Sequence, residues 1–217
     1  ANGTGIGNGT CNLATGICPV FNMSNARLGA AGLEFDAVND YVEVSDSNSL
    51  DITSSAITIE AWIYRKRTGT HSILTKHSNA ADTGYVFATS AEKIYFDFGD
   101  GGGGWPYSGN VVGNTIVGIN AWHHVAVTRD GTEAKVYLDG VLDNTKIIGA
   151  NAIAANTQNI FIGEDVNSPG ANTLFNGTID EVAIWNVSLS SEVIIKHSGY
   201  GIDKSSYGNN ATLMNGT

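Results

Sequence analysis

A sandwich or barrel of many short antiparallel strands is the fold this chain predicts, and three observations predict it. Apolar and polar residues alternate with a period of two through much of the middle of the chain. Turn dipeptides such as Asp130-Gly131 and Asp139-Gly140 punctuate the alternating runs. A length of 217 residues suits one large β domain with a sizeable core and would cramp two.

The elements follow in chain order. Residues 1 to 28 form an arm rich in Gly, Asn, Ser and Thr, a composition that buries too little apolar surface to offset the entropy of ordering it. Cys11 and Cys18 are separated by six residues in this arm, which reads as a short disulfide loop, with two free thiols the alternative. In Ile57 to Tyr64, residues Ile57, Ile59, Ala61 and Ile63 share one face, while Thr58, Glu60, Trp62 and Tyr64 share the other, as in a half-buried strand. Lys93 to Phe98, Trp122 to Arg129, Ala134 to Asp139 and Ile179 to Trp185 read similarly. The aromatic and apolar stripes of these strands are read as core packing. One helix is expected over Ser190 to His197, with Ser190 capping the first turn, Glu192 placed for the helix dipole, and Val193, Ile194 and Ile195 offering an apolar face. Residues 200 to 217 form a second polar tail.

Composition excludes several function classes. A formal charge of −10, from 21 acids against 11 bases, opposes binding to nucleic acid or an anionic membrane, which needs a basic surface. No run of 18 apolar residues is present, so no membrane span is expected, and the start at Ala1 without an apolar leader reads as a mature chain. Asn-x-Ser/Thr triplets begin at Asn2, Asn8, Asn22, Asn176, Asn186, Asn210 and Asn215, and five of these seven fall in the two arms. With the cysteine pair, they favour an exported, cell-surface glycoprotein.

Three blocks carry a family resemblance. Gly32-Leu33-Glu34-Phe35-Asp36 runs into Asp40-Tyr41-Val42-Glu43-Val44. Trp122-His123-His124-Val125-Ala126-Val127-Thr128-Arg129-Asp130-Gly131 is followed by Lys135-Val136-Tyr137-Leu138-Asp139-Gly140. Phe175-Asn176-Gly177-Thr178-Ile179-Asp180-Glu181-Val182-Ala183-Ile184-Trp185-Asn186 closes the series. Their order and spacing over residues 29 to 199 resemble a laminin G-like domain. The resemblance implies a concanavalin A-like jelly roll of two antiparallel sheets, a fold that hosts lectins, adhesion modules, enzymes and spacers.

The resemblance also implies a structural calcium ion, with Asp36 and Asp180 at the family's acidic turns. Asp203 and Asn209 would contribute if the tail docks beside them; the alternative is that Asp36 and Asp180 only cap turns. Asp203 to Leu213 is similar to the stretch family members usually carry near the domain's start. The tail therefore folds back on its own sandwich, adds a strand to the next subunit, or begins the next repeat of a tandem array. For glycan binding the candidates are Asp100, Trp105 and Tyr107, around a four-glycine loop that brings backbone close to a ligand. The alternative is a flexible loop whose aromatics pack on the sheet edge or a neighbouring subunit.

Catalysis has little support. The acid pattern of related β-glucanases, Glu-x-Asp-x-x-Glu, is matched only by Glu34-x-Asp36-x-x-Asn39, which lacks the last acid. His123 and His124 are neighbours on a strand and point to opposite faces, so they cannot chelate one ion together. The reading favoured by the sequence is a non-enzymatic surface glycoprotein that self-associates into a homopolymer through its arms. The alternative is a monomeric, calcium-dependent, lectin-like module that binds polysaccharide.

Overall fold

The computed structural model describes residues 4–5, 19–102, 110–165 and 173–199. Fourteen strands are present among them: β1 Thr4–Gly5, β2 Val20–Asn22, β3 Gly32–Asp36, β4 Val42–Val44, β5 Ala56–Arg65, β6 His71–Ser78, β7 Thr83–Ser90, β8 Lys93–Asp100, β9 Val111–Ile116, β10 Trp122–Asp130, β11 Glu133–Leu138, β12 Val141–Ile147, β13 Ile160–Ile162 and β14 Asn176–Trp185. One helix, α1 Ser191–His197, follows the last strand. The strands form two antiparallel sheets, as the jelly-roll expectation requires. One runs β12-β11-β10-β5-β14-β3-β2, with β1 also on β14, and the other runs β4-β13-β6-β7-β8-β9.

Alternation puts the core where the sequence analysis expects it. Ile57, Ile59, Ala61 and Ile63 of β5 are fully buried and meet Phe87, Phe96 and Phe98 of the opposite sheet. Each of the isoleucine and phenylalanine side chains contributes about 1.5–3 kcal/mol by leaving water. The Asp139-Gly140 turn joins β11 to β12 with positive φ at both residues, 52° and 81°, the twist a two-residue hairpin needs. Gly163 matters for a different reason: at φ 87° it lies against the Phe35 ring, and a Cβ there would strike that ring.

Charged side chains also serve as internal struts. Arg129 places its guanidinium 3.9 Å over the Phe98 ring and donates from Nη2 to the carbonyls of Gly149 and Asn151. The Lys76 ammonium, on a side chain 1% exposed, lies 2.8 Å from Asp46 Oδ1 and 3.1 Å from Asp51 Oδ1. It also donates to the carbonyls of Asn156 and Gln158, both at 2.9 Å. One buried cation thus ties two loops to β6.

Two local readings change. Ser190 stands at the N-cap of α1, yet its side chain makes no capping hydrogen bond; its carbonyl accepts from the N–H groups of Val193 and Ile194 instead. The sheet also reaches into the N-terminal arm. Val20–Asn22 pairs with β3, and Thr4–Gly5 pairs with Ala183 and Ile184 of β14, so part of the polar arm is bonded into its own sandwich.

Candidate functional site

The outward face of β5 opens into a groove. Glu60 sits opposite Ala126 on β10 and Ala183 on β14, so small residues flank it on both neighbouring strands. Trp62, next along that face, sits opposite His124 and Asp180. A β-bulge between Asp180 and Ala183, with Glu181 at φ 50°, interrupts the regular ladder of β14 at this point. α1 closes one side, with Ile194 packed on Ala126 and Tyr137. The resulting open cavity of about 480 Å³ is lined chiefly by Glu60, Trp62, His124, Trp185, Lys196 and His197.

Electrostatics single out Glu60, which is 5% exposed. Burial raises its carboxyl to about 8. Burial also lowers His124 to about 4, helped by the neighbouring His197 and opposed by Asp139. His197 is lowered as well, through burial. Burial thus pushes all three groups toward their uncharged forms, the Glu60 carboxyl upward and the two imidazoles downward. Glu60 Oε1 shares a 2.7 Å hydrogen bond with His197 Nδ1, while Oε2 lies 3.7 Å from His124 Nε2.

Three buried polar atoms here lack hydrogen-bond partners: Glu60 Oε2, Trp62 Nε1 and His124 Nδ1. Such atoms normally find partners, because an unsatisfied buried polar group costs about 1–3 kcal/mol. Aromatic surfaces surround them. Trp62 meets His124 edge-on at 5.3 Å, and Trp185 stacks on His197 at 5.5 Å. The Arg27 guanidinium lies 4.0 Å over the Trp62 ring, on a segment whose backbone N–H groups at Arg27 and Leu28 donate to Asp180 Oδ2. In chemical terms the groove offers a carboxyl, an indole N–H, an imidazole nitrogen and ring faces within one concavity.

The residues expected for calcium lie elsewhere and apart. Asp36 pairs with Asn176 at the start of β14, and Asp180 stands four residues further along that strand, roughly 13 Å away. Asp36 Oδ1 accepts from the N–H of Val38, and Asp180 accepts from Arg27, Leu28 and Glu181, so both carboxylates cap turns. Asp36 borders a second open cavity of about 550 Å³, with Glu34, Asp40, Lys66 and Asn176. Asp40 is raised above the usual carboxylate range by burial, and Glu34 is paired with Lys66. No group of three His, Cys, Asp or Glu side chains placed to hold a metal ion occurs among the described residues. Asp203 and Asn209 lie outside the described residues.

Of the expected glycan loop, Asp100 is described and Trp105 and Tyr107 are not. Asp100 accepts from the N–H of Gly102 and from the Asn151 amide, and these bonds hold its carboxyl below its usual range. Cys11 and Cys18, and the acceptors Asn2, Asn8, Asn210 and Asn215, also fall outside the described residues. Asn22 and Asn176, both partly exposed, donate their side-chain amides to Glu34 and to the Asp36 carbonyl, and Asn186 is exposed just after β14.

Sequence reasoning passed over the Glu60 groove. The alternation of β5 places Trp62 with Glu60 on the face opposite Ile57, Ile59 and Ile63, but reading the aromatic stripes as core packing leaves that face without a binding role. His123 and His124 do diverge as strand neighbours must: His123 bonds Asp139, and His124 faces Trp62.

Fold and groove together define a two-sheet β-sandwich with a polar, aromatic-walled trough on one outer face. The chain belongs to the concanavalin A-like lectin/glucanases superfamily: its Laminin_G_3 family model matches residues 36–195. Three solved structures show the same fold. A putative carbohydrate binding protein from Bacteroides ovatus shares 18% identity over 72% of this chain and 44% of its own, with a TM-score of 0.57. The binding domain of Paraclostridial Mosquitocidal Protein 1 shares 16% over 85% and 45%, with a TM-score of 0.65. Domain 4 of AbnA, a GH43 extracellular arabinanase from Geobacillus stearothermophilus in complex with arabinotriose, shares 15% over 90% and 85%, with a TM-score of 0.61. This chain thus spans less than half of the first two structures. No curated protein matches it. Among the described residues, no helix is long and apolar enough to cross a membrane.

Proposed function

We propose that this chain is a non-catalytic, exported carbohydrate-binding module and that the Glu60 groove holds the glycan. One observation carries the reading: three unpartnered buried polar atoms, Glu60 Oε2, Trp62 Nε1 and His124 Nδ1, gathered in a trough walled by tryptophan. A sugar combines apolar C–H faces, which rest on aromatic rings, with hydroxyls that both donate and accept, so it suits this set of atoms. Carbohydrate binding by structures of the same fold supports the reading.

A glycan array probed with the whole chain tests it, followed by titration of the best hit. Trp185→Ala should weaken that hit about tenfold or more, because it removes an aromatic wall. An array without hits, or a hit indifferent to Trp185→Ala and Trp62→Phe, overturns the assignment to this groove. Bound β-glucans should release no reducing ends.

A second reading, self-association through the sheet edge, is favoured by a separate observation. β2 ends its sheet, and Val20, Phe21 and Met23 there are 65%, 75% and 79% exposed. An apolar edge strand of this kind invites pairing with another chain.

A further inference from the structure

The negative charge that Glu60 can carry is a feature of the groove that neutral sugar binding leaves unused. Glu60 is a buried carboxyl, and its one close hydrogen-bonding neighbour, His197, is shifted toward the neutral form. No lysine or arginine lies within ion-pair distance of it among the described residues. The face of Trp62 beside it is already used by a cation, the Arg27 guanidinium at 4.0 Å. Aromatic faces attract cations through the ring quadrupole, most strongly for tryptophan. A carboxylate beside a cation-bearing ring is a receptor for an ammonium group.

Resting on the carbohydrate reading, we propose that the groove selects amino sugars with a free ammonium, which displaces Arg27 from Trp62 and pairs with Glu60. The sugar ring would lie along Trp185, and its hydroxyls would meet Trp62 Nε1 and His124 Nδ1. The formal charge of −10 supports the choice at long range, since an acidic chain draws in a cationic polysaccharide. Arg27 is the internal occupant that keeps the ring covered until ligand arrives. It is suited to leave, because the bonds holding its segment to Asp180 run through backbone N–H groups and leave the side chain free to rotate.

The groups facing Glu60 set the proton balance of binding. They are His124 from β10, His197 and Lys196 from α1, Glu181 from β14, and Arg27 from the preceding segment, with Asp139 and Asp180 farther out. Seating an ammonium against Glu60 ionises it, so binding expels the proton that the free groove keeps there.

Calorimetric titration of the whole chain at pH 6.0, in two buffers of different ionisation enthalpy, tests this. The probes are tetramers of glucosamine, N-acetylglucosamine and glucose. The glucosamine tetramer should bind about tenfold more tightly than the other two, and it alone should release protons from the protein. Glu60→Gln should erase both the preference and the proton release. Arg27→Ala, whose side chain supports no buried bond, should tighten glucosamine binding by uncovering Trp62, and it keeps the test open should Glu60→Gln fold poorly. Equal affinity for all three tetramers with a dependence on Trp185 overturns the amino-sugar inference and leaves the carbohydrate reading standing. Absent binding of the glucosamine tetramer, or an Arg27→Ala variant that binds it more weakly, also overturns the inference; the glycan array decides the broader reading separately.

Discussion

At the residue scale, Glu60 ties the groove to the stability of the fold. Its folded pKa of about 8 lies above the ordinary 4.5, so its contribution is fully present below pH 4.5 and is lost as pH rises through 8. His71 and His124 act in the opposite sense. Both are lowered from 6.5 to about 4, so their contribution is present above pH 6.5 and lost as pH falls through 4. Asp97, raised to about 6 by burial, has largely titrated by pH 7. Above pH 6.5, Glu60 is therefore the group that shapes the curve. The urea midpoint of the wild-type chain should fall between pH 6.5 and 8.5, with a slope of up to about 1.4 kcal/mol per pH unit in unfolding free energy. Glu60→Gln, which mimics the protonated acid, should flatten that slope. An unchanged slope would show that Glu60 is ionised in the folded protein at neutral pH. None of this shows in the sequence, because an outward glutamate on a half-buried strand reads as solvated. What buries it is the helix α1, more than 130 residues away in the chain, together with the Arg27 segment.

At the scale of elements, legibility follows exposure. β5, β10 and β14 were readable because much of their length alternates, Ile57, Ile59 and Ile63 inward against polar neighbours. β6 was not readable, since His71-Ser-Ile-Leu-Thr-Lys-His is buried along its length and mixes polar with apolar residues, with a register shift between Ser72 and Leu74. The polar members of β6 find partners that only tertiary structure supplies, as Lys76 shows. Its ammonium is the shared donor for Asp46 and for carbonyls of residues 156 and 158, so removing it leaves buried acceptors without a partner. Lys76→Met, close in volume and apolar, should cost about 2–4 kcal/mol, discounted because Asp46 and Asp51 keep some access to water. The measurement is the denaturant midpoint at pH 7. A loss below about 0.5 kcal/mol, the range of an ordinary surface substitution, would mean that the loops around residues 46–51 and 156–158 are held by their own packing.

At the scale of the whole molecule, the two sheets differ in how they end. At the β12 end, Asp143 accepts from the N–H groups of Asn114 and Thr115, which tethers β12 to β9 of the other sheet. The β2 end has no such closure among the described residues, and Val20 and Phe21 of β2, with Met23 just after it, stand in solvent at 65%, 75% and 79% exposure. Exposed apolar residues along a short edge strand lose their contact with water when a second chain pairs there, at about 25 cal/mol per Å² of buried apolar area. If the edge acts this way, the full chain should sediment as species larger than a monomer at micromolar concentration, and Phe21→Lys with Met23→Lys should return it to monomer without lowering its unfolding midpoint. A chain ending at Gly199 separates the two routes to assembly: loss of the large species assigns association to residues 200 to 217, and persistence assigns it to the β2 edge. Monomers in all three samples would remove self-association from consideration and leave the groove as the working surface of the molecule.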